Sequence, residues 1–288
     1  FSTGAFGKHL RDDKASFRID NNSQKWGLVS VYYYFDDYSL NSPYPTGQGG
    51  ASVPGFSALN LGRSQLMNVG HTKTFGANAV NELRLSYMRT ANNVGEPLGG
   101  VGPTLASQGF VTGLGSPGIV PLAPQIEGIE NMAFNAFVMG TPITNLRQAN
   151  NTYSLNDNFS KVMGEHTIKT GFQASYEQVN VDPNATFNGS FNFYGFETGS
   201  DFADFLIGTP SSYNQADSQS YYGRHKYAAA FLQDSWRVRP NVTLNMGVRW
   251  DLMQYWSEKY NQIPTFRDRK STRLNSSHIT ISYAVFCL

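Results

Sequence analysis

A period-two alternation of apolar and polar residues near the end of the chain constrains the fold more than any other feature. From Leu244 to Leu252, apolar side chains alternate with Asn, Gly, Arg and Asp. A β-strand points successive side chains to opposite faces, so this segment has one apolar and one polar face. Pro240 and Asn241 precede it and favour a tight turn. Residues 227–255 are therefore predicted to form a hairpin of long strands, although the alternation assigns no faces to 227–238.

Three further segments show the same pattern, at 16–40, 65–94 and 152–177. Polar or Gly-containing breaks inside these hairpins predict tight turns. The predicted turns lie at 22–25, 76–78, 164–165 and 239–241, and the long segments between hairpins lie at 41–63, 95–150 and 182–222. Within the last of these, a short strand is predicted at 190–194 and a helical turn at 201–207.

Short and long connections thus alternate strictly along the chain. This asymmetry is typical of outer-membrane barrels, which have short periplasmic turns and long extracellular loops. A soluble sandwich mixes loop lengths at both ends. The predicted fold is all-β, an antiparallel up-and-down transmembrane β-barrel fragment of about eight strands with long extracellular loops.

Composition excludes several other classes. The 288 residues carry a formal net charge of +1, with 15% charged and 14% aromatic residues. No basic stripe indicates a nucleic-acid partner. No stretch approaches the roughly 18 consecutive apolar residues of a membrane helix. A barrel remains compatible because alternation dilutes its apolar residues, so the predicted partner is the lipid bilayer of a bacterial outer membrane.

The polar registers of these strands hold the candidate site residues. They are predicted to line the lumen and to meet a plug domain or a passing solute. These residues are Glu82, Arg84, Lys169, Glu177, Arg249 and Asp251. The alternative is that they solvate the lumen and do nothing more. A second group of residues is compatible with ligand contact from outside, with an aromatic girdle or with loop packing. This group comprises Tyr32, Tyr33, Tyr34, Tyr38, Phe193 and Tyr194.

No residue pattern predicts catalysis, a cofactor or a metal site. The histidines at 9, 71, 166 and 225 are scattered without ligand spacing. Asp36 and Asp37 resemble paired acids, but nothing nearby supplies a nucleophile, and the ends of strands leaving the bilayer explain them better. The protein is therefore predicted not to be an enzyme.

Three stretches resemble the barrel domain of TonB-dependent outer-membrane receptors, and specifically the Oar-like subgroup. They are GEHTIKTGFQASYE (164–177), FADFLIGTPSSYNQ (202–215) and YAAAFLQDSWRVRPNVTLNMGVRWD (227–251). The resemblance covers roughly residues 14–257. It implies a barrel of about 22 strands plugged by a separate domain. It also implies an inner-membrane energy transducer that acts through the plug to drive uptake of a bulky nutrient. The sequence does not identify this extracellular ligand.

The resemblance and the chain ends together predict the domain organisation. Residues 1–267 are expected to be a partial receptor barrel, without the plug domain and the remaining strands. Residues 268–288 resemble a translated sequencing-library adapter rather than any protein family, and they contain the single cysteine, Cys287.

Three other functions compete with uptake. The first is an outer-membrane barrel whose loops bind a surface polymer or a protein without transport. The second, an outer-membrane enzyme, needs a Ser/His or metal constellation that the sequence lacks. The third is a soluble, secreted β-rich protein, which cell fractionation would distinguish.

Overall fold

The structure, a computed structural model, describes residues 6–112 and 119–262. The adapter-like segment predicted at 268–288 lies outside these ranges. Residues 263–267, the last of the partial-barrel domain predicted for 1–267, lie outside them as well. In chain order the described strands are β1 (His9–Ser23), β2 (Gly27–Ser42), β3 (Ala58–Phe75), β4 (Ala79–Pro97), β5 (Asn131–Ala133), β6 (Val138–Met139), β7 (Thr144–Met163), β8 (His166–Ala185), β9 (Ser190–Asn192), β10 (Ser212–Asn214), β11 (Tyr221–Arg239), β12 (Val242–Met253) and β13 (Ser257–Glu258). One α-helix, α1, spans Asp201–Ile207, and 3₁₀ turns lie at Thr46–Gln48, Ala106–Gln108 and Pro124–Ile126.

Eight long strands form one antiparallel sheet in the order β1-β2-β3-β4-β7-β8-β11-β12. Each strand pairs with the neighbour that precedes or follows it among these eight, which is an up-and-down arrangement. The short strand β13 pairs with β11 beyond the end of β12. The predicted all-β, antiparallel up-and-down fold is confirmed. Within the described residues the sheet is open, with β1 and β12 at its edges.

The strands extend further toward the long connections than the sequence predicts. β3 begins at Ala58 and β7 at Thr144, where the sequence analysis places loop. The connections are correspondingly shorter than predicted, at 43–57, 98–143 and 186–220. Near Thr144 both faces of β7 are mostly polar, so the period-two signal disappears while the backbone pairing continues. In β3, Leu59 and Leu61 still alternate with polar or small residues, but the Gly- and Pro-rich sequence just before them favours a loop. The short strand and the helical turn predicted inside the last connection are observed as β9 and α1.

The register divides the long sheet into two chemically different faces. Cross-strand partners lie on the same side of a sheet, so pairing carries each face from β1 to β12. One side, here called the apolar face, includes Val31, Val69, Leu85 and Leu155 in a single row of partners. The opposite side, the polar face, carries mostly hydroxyl, amide and charged groups. No second sheet covers the apolar face in the part of the chain that the structure describes.

The pairing also settles the faces of β11, which the sequence left open. Ala228 pairs with Ala174 and Leu252, so it lies on the apolar face. Its neighbour Tyr227 pairs with Ser175 on the polar face. Residues 227–232 are apolar in both registers, because Ala229 and Phe231 lie on the polar face, and this hides the alternation.

One row of partners on the apolar face serves as a reference line and is called the tyrosine row. It contains Phe17, Tyr33, Met67, Tyr87, Tyr153, Tyr176 and Lys226. In each hairpin we count the residues from the start of the second strand, just after the turn, to this row. The separation is six residues in the first hairpin, eight in the second, ten in the third and twelve in the fourth. The separations run from Gly27 to Tyr33, Ala79 to Tyr87, His166 to Tyr176 and Val242 to Gln254.

This stagger fixes the inclination of the strands. Each hairpin advances the turn by two residues, or about 6.6 Å, while it crosses two strands, or about 9.6 Å. Turns that lie at one membrane surface therefore require strands tilted by about 35°, within the range of transmembrane barrels. At this tilt the apolar run from Ile168 to Tyr176 crosses about 22 Å, close to the roughly 25 Å apolar band of such barrels.

The long connections fold together into a separate lobe, called the cap, whose described residues are 43–57, 98–112, 119–143 and 186–220. Its centre is a four-stranded sheet in the order β10-β9-β5-β6, which joins the second and third connections. The first connection is tied in by the backbone bond from the Ser52 N–H to the Val138 oxygen, 2.9 Å. The Asn131 side chain adds a bond to the Gly49 oxygen, 2.9 Å. The four turns lie at the opposite ends of the strands.

Candidate functional site: the polar face and the cap

All six predicted site residues lie on the polar face. Glu82 and Arg84 come from β4, and Lys169 and Glu177 from β8. Arg249 and Asp251 come from β12. They are spread over three strands and do not converge on one point, so the structure brings them to one surface without forming a single pocket. Their lining of a lumen stays a prediction.

The tightest of these groups is a network on β11 and β12. The Arg249 Nε donates to both Asp251 oxygens, at 3.0 and 3.1 Å. The Tyr227 hydroxyl accepts from Arg249 at 2.8 Å and donates to Asp251 at 2.5 Å. Each of the three groups therefore has two partners, and the network holds a charge-paired surface in a fixed shape. The sequence missed Tyr227 because the faces of its strand were unassigned.

The other predicted residues make looser contacts. Glu82 and Arg84 are two positions apart on β4 and lie 4.0 Å apart. Glu177 faces the His225 ring across the β8–β11 pair at 3.7 Å. Lys169 is exposed and pairs in register with Gln233 and Ser160. The exposed Glu82–Arg84 pair contributes little stability, so these two charges and Lys169 are available to meet water or a second molecule.

A ladder of charges at the other edge of the sheet was missed by the sequence analysis. Arg18 donates to Asp20 at 2.8 Å on β1. Lys14 lies 2.8 Å from Asp12 and 3.7 Å from Asp36 on β2. These residues share one parity on their strands and belong to the polar face. That parity was a usable signal, but the predicted first strand began at residue 16 and excluded Lys14.

Asp36 and Asp37 do not form a pair of acids, because they point to opposite faces of β2. Asp36 accepts from the Tyr34 hydroxyl at 2.9 Å on the polar face. Asp37 accepts from Arg63 at 3.0 Å on the apolar face, near the cap end of the strands. The geometry excludes a two-carboxylate mechanism between these neighbours.

Aromatic packing builds the cap around Phe134. Its ring lies 4.5 Å from Phe137 and 5.4 Å from Phe193 in stacked arrangements, and 5.5 Å from Phe205 edge-on. Phe193 is only 4% exposed, so loop packing explains it rather than ligand contact. The adjacent Tyr194 is 47% exposed and remains free to touch a ligand. The cap is therefore a folded unit with its own core.

Two buried carboxylates in the cap have opposite environments. Asp204 accepts from the Thr198 hydroxyl and N–H and from the Glu197 N–H, and these bonds lower its pKa. Glu130 is fully buried, and neither of its oxygens has a partner within the described residues. Burial raises the pKa of Glu130 to about 7, and the nearby charge of Glu127 acts in the same direction.

The described residues contain no group of three or more His, Cys, Asp or Glu side chains placed to hold a metal ion. None of the helices in the described ranges is long and apolar enough to span a membrane.

A family model matches almost the whole chain. The model for the outer membrane beta barrel domain covers residues 3–284. The chain belongs to this family. No curated protein matches the chain. A solved structure to which the chain is similar is the outer membrane transporter YddB from Escherichia coli, at 12% identity and a TM-score of 0.44. The match covers 85% of this chain and 27% of that one, so the chain spans about a quarter of that transporter's length.

As an outer membrane beta barrel domain, the protein resides in the bacterial outer membrane, and its apolar face meets the hydrocarbon of the bilayer. The exposure of large apolar side chains on this face has the same cause. Phe172 is 46% exposed and Val248 is 64% exposed. In water such a surface would drive association.

The barrel domain's tyrosine row forms the cap-side border of the lipid-facing band. The Tyr33 hydroxyl accepts from Gln65, at 2.8 Å, and the Tyr87 hydroxyl donates to Asn151, at 3.1 Å. Tyrosine suits this border because its ring is apolar and its hydroxyl is polar. Tyr33 is therefore a girdle residue. Tyr32, Tyr34 and Tyr38 have the opposite parity and lie on the polar face.

One polar pair interrupts the band. Asp157 lies on the apolar face, in register with Leu83 and Phe172. The Asn81 side chain donates to its carboxylate at 2.7 Å. In the sequence, Asp157 is the one polar residue in a register that otherwise holds Tyr153, Leu155 and Phe159.

Proposed function

We propose that this barrel domain belongs to a TonB-dependent uptake receptor of the Oar-like kind. In this proposal the cap binds a bulky nutrient outside the cell, and an inner-membrane energy transducer acts through a plug domain. The solute then passes along the polar face, which lines the lumen. The observation that carries the proposal is the segregation of the sheet into an apolar and a polar face beneath a single folded cap.

The polar face supports a path rather than a reaction centre. Its charged groups are spread over several strands, and many are paired, as in the Tyr227, Arg249 and Asp251 network. Paired charges keep a surface wet without trapping a solute at one strong site. We propose accordingly that the barrel performs no covalent chemistry.

The charge of the cap restricts the solute. Across its three segments the sequence contains six acidic residues and no lysine or arginine. Glu197 and Asp217 are exposed, and so are the rings of Tyr194 and Phe196. An anion would meet repulsion and no cationic partner here. A neutral or cationic solute with faces that stack on aromatic rings fits this surface better.

Uptake assays in two strains test the proposal. Cells that express the protein receive fluorescent oligosaccharides in neutral, cationic and anionic forms. We expect neutral or cationic probes to enter, and entry to cease when the gene for the inner-membrane transducer is deleted. Entry that is unaffected by that deletion would contradict energy coupling. Preference for the anionic probes would contradict the assignment of the solute class.

A second candidate function is an adhesion or interaction barrel that binds a surface polymer or protein without transport. Exposed apolar side chains on α1 favour it, since Phe202, Leu206 and Ile207 are 53%, 68% and 60% exposed. Such a patch is typical of protein contacts. Surface binding without entry of any probe, equal in both strains, would favour this function over uptake.

A further inference from the structure

A trough of about 660 Å³ runs across the apolar face of the sheet. Its floor is a single row of partners on five strands. The row contains Leu85, Leu155, Ala174, Ala228 and Leu252. The trough exists because Ala174 and Ala228 are small, while Tyr153 and Tyr176 stand above them in the tyrosine row. A depression of this kind on a lipid-facing surface fits hydrocarbon chains.

The cap-side rim of the trough changes from apolar to cationic within two rows. Lys226 ends the tyrosine row and lines the trough itself. The next row contains Arg89 on β4 and Arg224 on β11, with Asn151 and Gln178 between them. The apolar floor and the cationic rim together match an amphiphile whose head group is an anion.

The two arginines of this rim form no ion pair with a carboxylate of the described residues. Arg89 donates to the Asn151 oxygen at 2.8 Å, and Arg224 donates to the Asn180 oxygen at 2.9 Å. Neither has a carboxylate within ion-pair distance in the described ranges. Burial acts to raise the pKa of Glu258, but its oxygens accept the backbone N–H groups of Gln262, Tyr260 and Tyr222, and these bonds, with a smaller contribution from the Arg224 charge, lower it.

Neighbouring arginines provide a contrast. Arg63 is paired with Asp37 at 3.0 Å, and Arg147 with Glu96 at 3.3 Å. These two line a polar groove of about 700 Å³ nearer the cap, and Arg89 lines it as well. Arg89 and Arg224 therefore differ from these two in forming no ion pair, and they lie in the row next to the tyrosine row, where lipid head groups begin.

We propose that this surface binds a diphosphorylated glycolipid of the surrounding membrane, with acyl chains in the trough and its phosphates at Arg89 and at Arg224 with Lys226. Guanidinium groups bind phosphate oxygens in bidentate geometry, and the ammonium group adds a point charge. Arg89 and Arg224 are three strands apart, or about 14 Å. One phosphate cannot reach both, whereas a disaccharide head group with a phosphate at each end can. The site lies on the lipid side and is independent of the proposed uptake.

Lipid titration of the purified protein tests this site. The protein is extracted from the outer membrane and exchanged into neutral detergent. It is then titrated with diphosphoryl lipid A, and bound lipid is counted by native mass spectrometry. We expect one lipid per protein, and about fivefold weaker binding for Arg89→Gln or Arg224→Gln and about thirtyfold for the double variant. Monophosphoryl lipid A should lose affinity by about the same factor as one arginine substitution.

Two further variants separate this site from bulk charge and from misfolding. Arg239→Gln removes an arginine at the turn end of the same strand, β11, and should bind as the wild type does. Ala174→Phe fills the trough on the lipid side and should weaken binding with every charge intact. Wild-type affinity in the double variant or in Ala174→Phe, equal loss in Arg239→Gln, or full competition by inorganic pyrophosphate would each overturn the proposal.

Discussion

Glu130 is the residue at which burial and ionisation conflict most sharply. Its side chain is fully buried in the cap, and no donor in the described residues satisfies its oxygens. Burial penalises the charged carboxylate, so the folded cap favours the protonated form. The contribution of Glu130 to the free energy of unfolding therefore depends on whether its carboxyl group is protonated.

The sign of the pH dependence follows from the pKa of Glu130, raised from 4.5 to about 7 in the folded state. Between these values the unfolded chain has released the proton and the folded cap still holds it, so the free energy of unfolding falls as pH rises. The stabilisation is complete below about 4.5 and is lost by pH values above 7. A shift of this size corresponds to about 3 kcal/mol.

We expect chymotrypsin to cleave the cap faster at pH 7.5 than at pH 5, after normalisation to an unfolded peptide. Glu130→Gln has no proton to lose, so its cleavage rate should be the same at both values. Glu165→Gln, in the exposed turn between β7 and β8, is the matched control and should retain the wild-type pH dependence. A persistent pH dependence in Glu130→Gln would refute the assignment.

Gly171 shows how a missing side chain shapes the polar face. A Cβ at this position would collide with the Phe231 ring and lie 2.8 Å from the Asp157 backbone oxygen. The ring can rotate, but the backbone of the paired strand cannot move without breaking the ladder. Glycine at this position therefore lets an aromatic ring cover the strand.

Gly171→Ala should destabilise the barrel by about 1–3 kcal/mol through overpacking. The measurement is the urea midpoint of the protein folded in lipid bilayers. Gly247→Ala is the matched control, because a Cβ at that strand glycine meets nothing closer than 3.3 Å. Equal midpoints for the two variants would show that the close approach to Asp157 is absent.

At the scale of the strand, alternate residues should differ in contact with water. On β8, Lys169 and Gln173 lie on the polar face, and Phe172 and Ala174 on the apolar face. In a Cys287→Ser background, single cysteines at the first two positions should react with a membrane-impermeant maleimide about tenfold faster or more. The reason is that hydrocarbon excludes the reagent and disfavours the thiolate.

Uniform labelling of these four cysteines would show that the two faces have the same environment. Labelling of the apolar pair alone would reverse the assignment of lipid and lumen. Circular dichroism should first establish that each cysteine variant is folded.

The sequence predicts strand interiors well and strand ends poorly, for a physical reason. β12 crosses the lipid-facing band, and its residues alternate from Leu244 to Leu252 because only the face in contact with lipid must be apolar. Near the cap both faces are wet, so the start of β7 at Thr144 has no such signature. β11 fails for the opposite reason, since Ala229 and Phe231 place apolar groups on the polar face.

The candidate site was predictable as a register but not as a set of contacts. Parity placed Arg249 and Asp251 on the polar face, and pairing with Tyr227 depended on the register of a strand whose faces were ambiguous. The Glu130 environment had no sequence signal, because it depends on how three distant connections pack into one cap.

At the scale of the whole molecule, the two ends of the barrel have opposite protease chemistry. The cap has aromatic residues at exposed positions, such as Phe196 at 76% and Phe202 at 53% exposure, and has no lysine or arginine in its sequence. The opposite end has basic residues beside its turns, including Lys25 and Arg239, both exposed. Chymotrypsin and trypsin therefore report on different sides of the membrane.

In intact cells, we expect chymotrypsin to clip the cap near Phe196 and trypsin to leave the protein uncut. The arginines of the strands, such as Arg89, are held in the sheet and are poor substrates because cleavage needs an unfolded segment. After the outer membrane is permeabilised, trypsin should cut at the turns near Lys25 and Arg239. Fragment masses identify each site, and Phe196→Ser with Phe202→Ser should slow the chymotrypsin cut alone. Tryptic cleavage at a turn in intact cells would show the opposite orientation, with the turns outside the cell and the cap in the periplasm. A cap in the periplasm could not bind a nutrient that arrives from the medium.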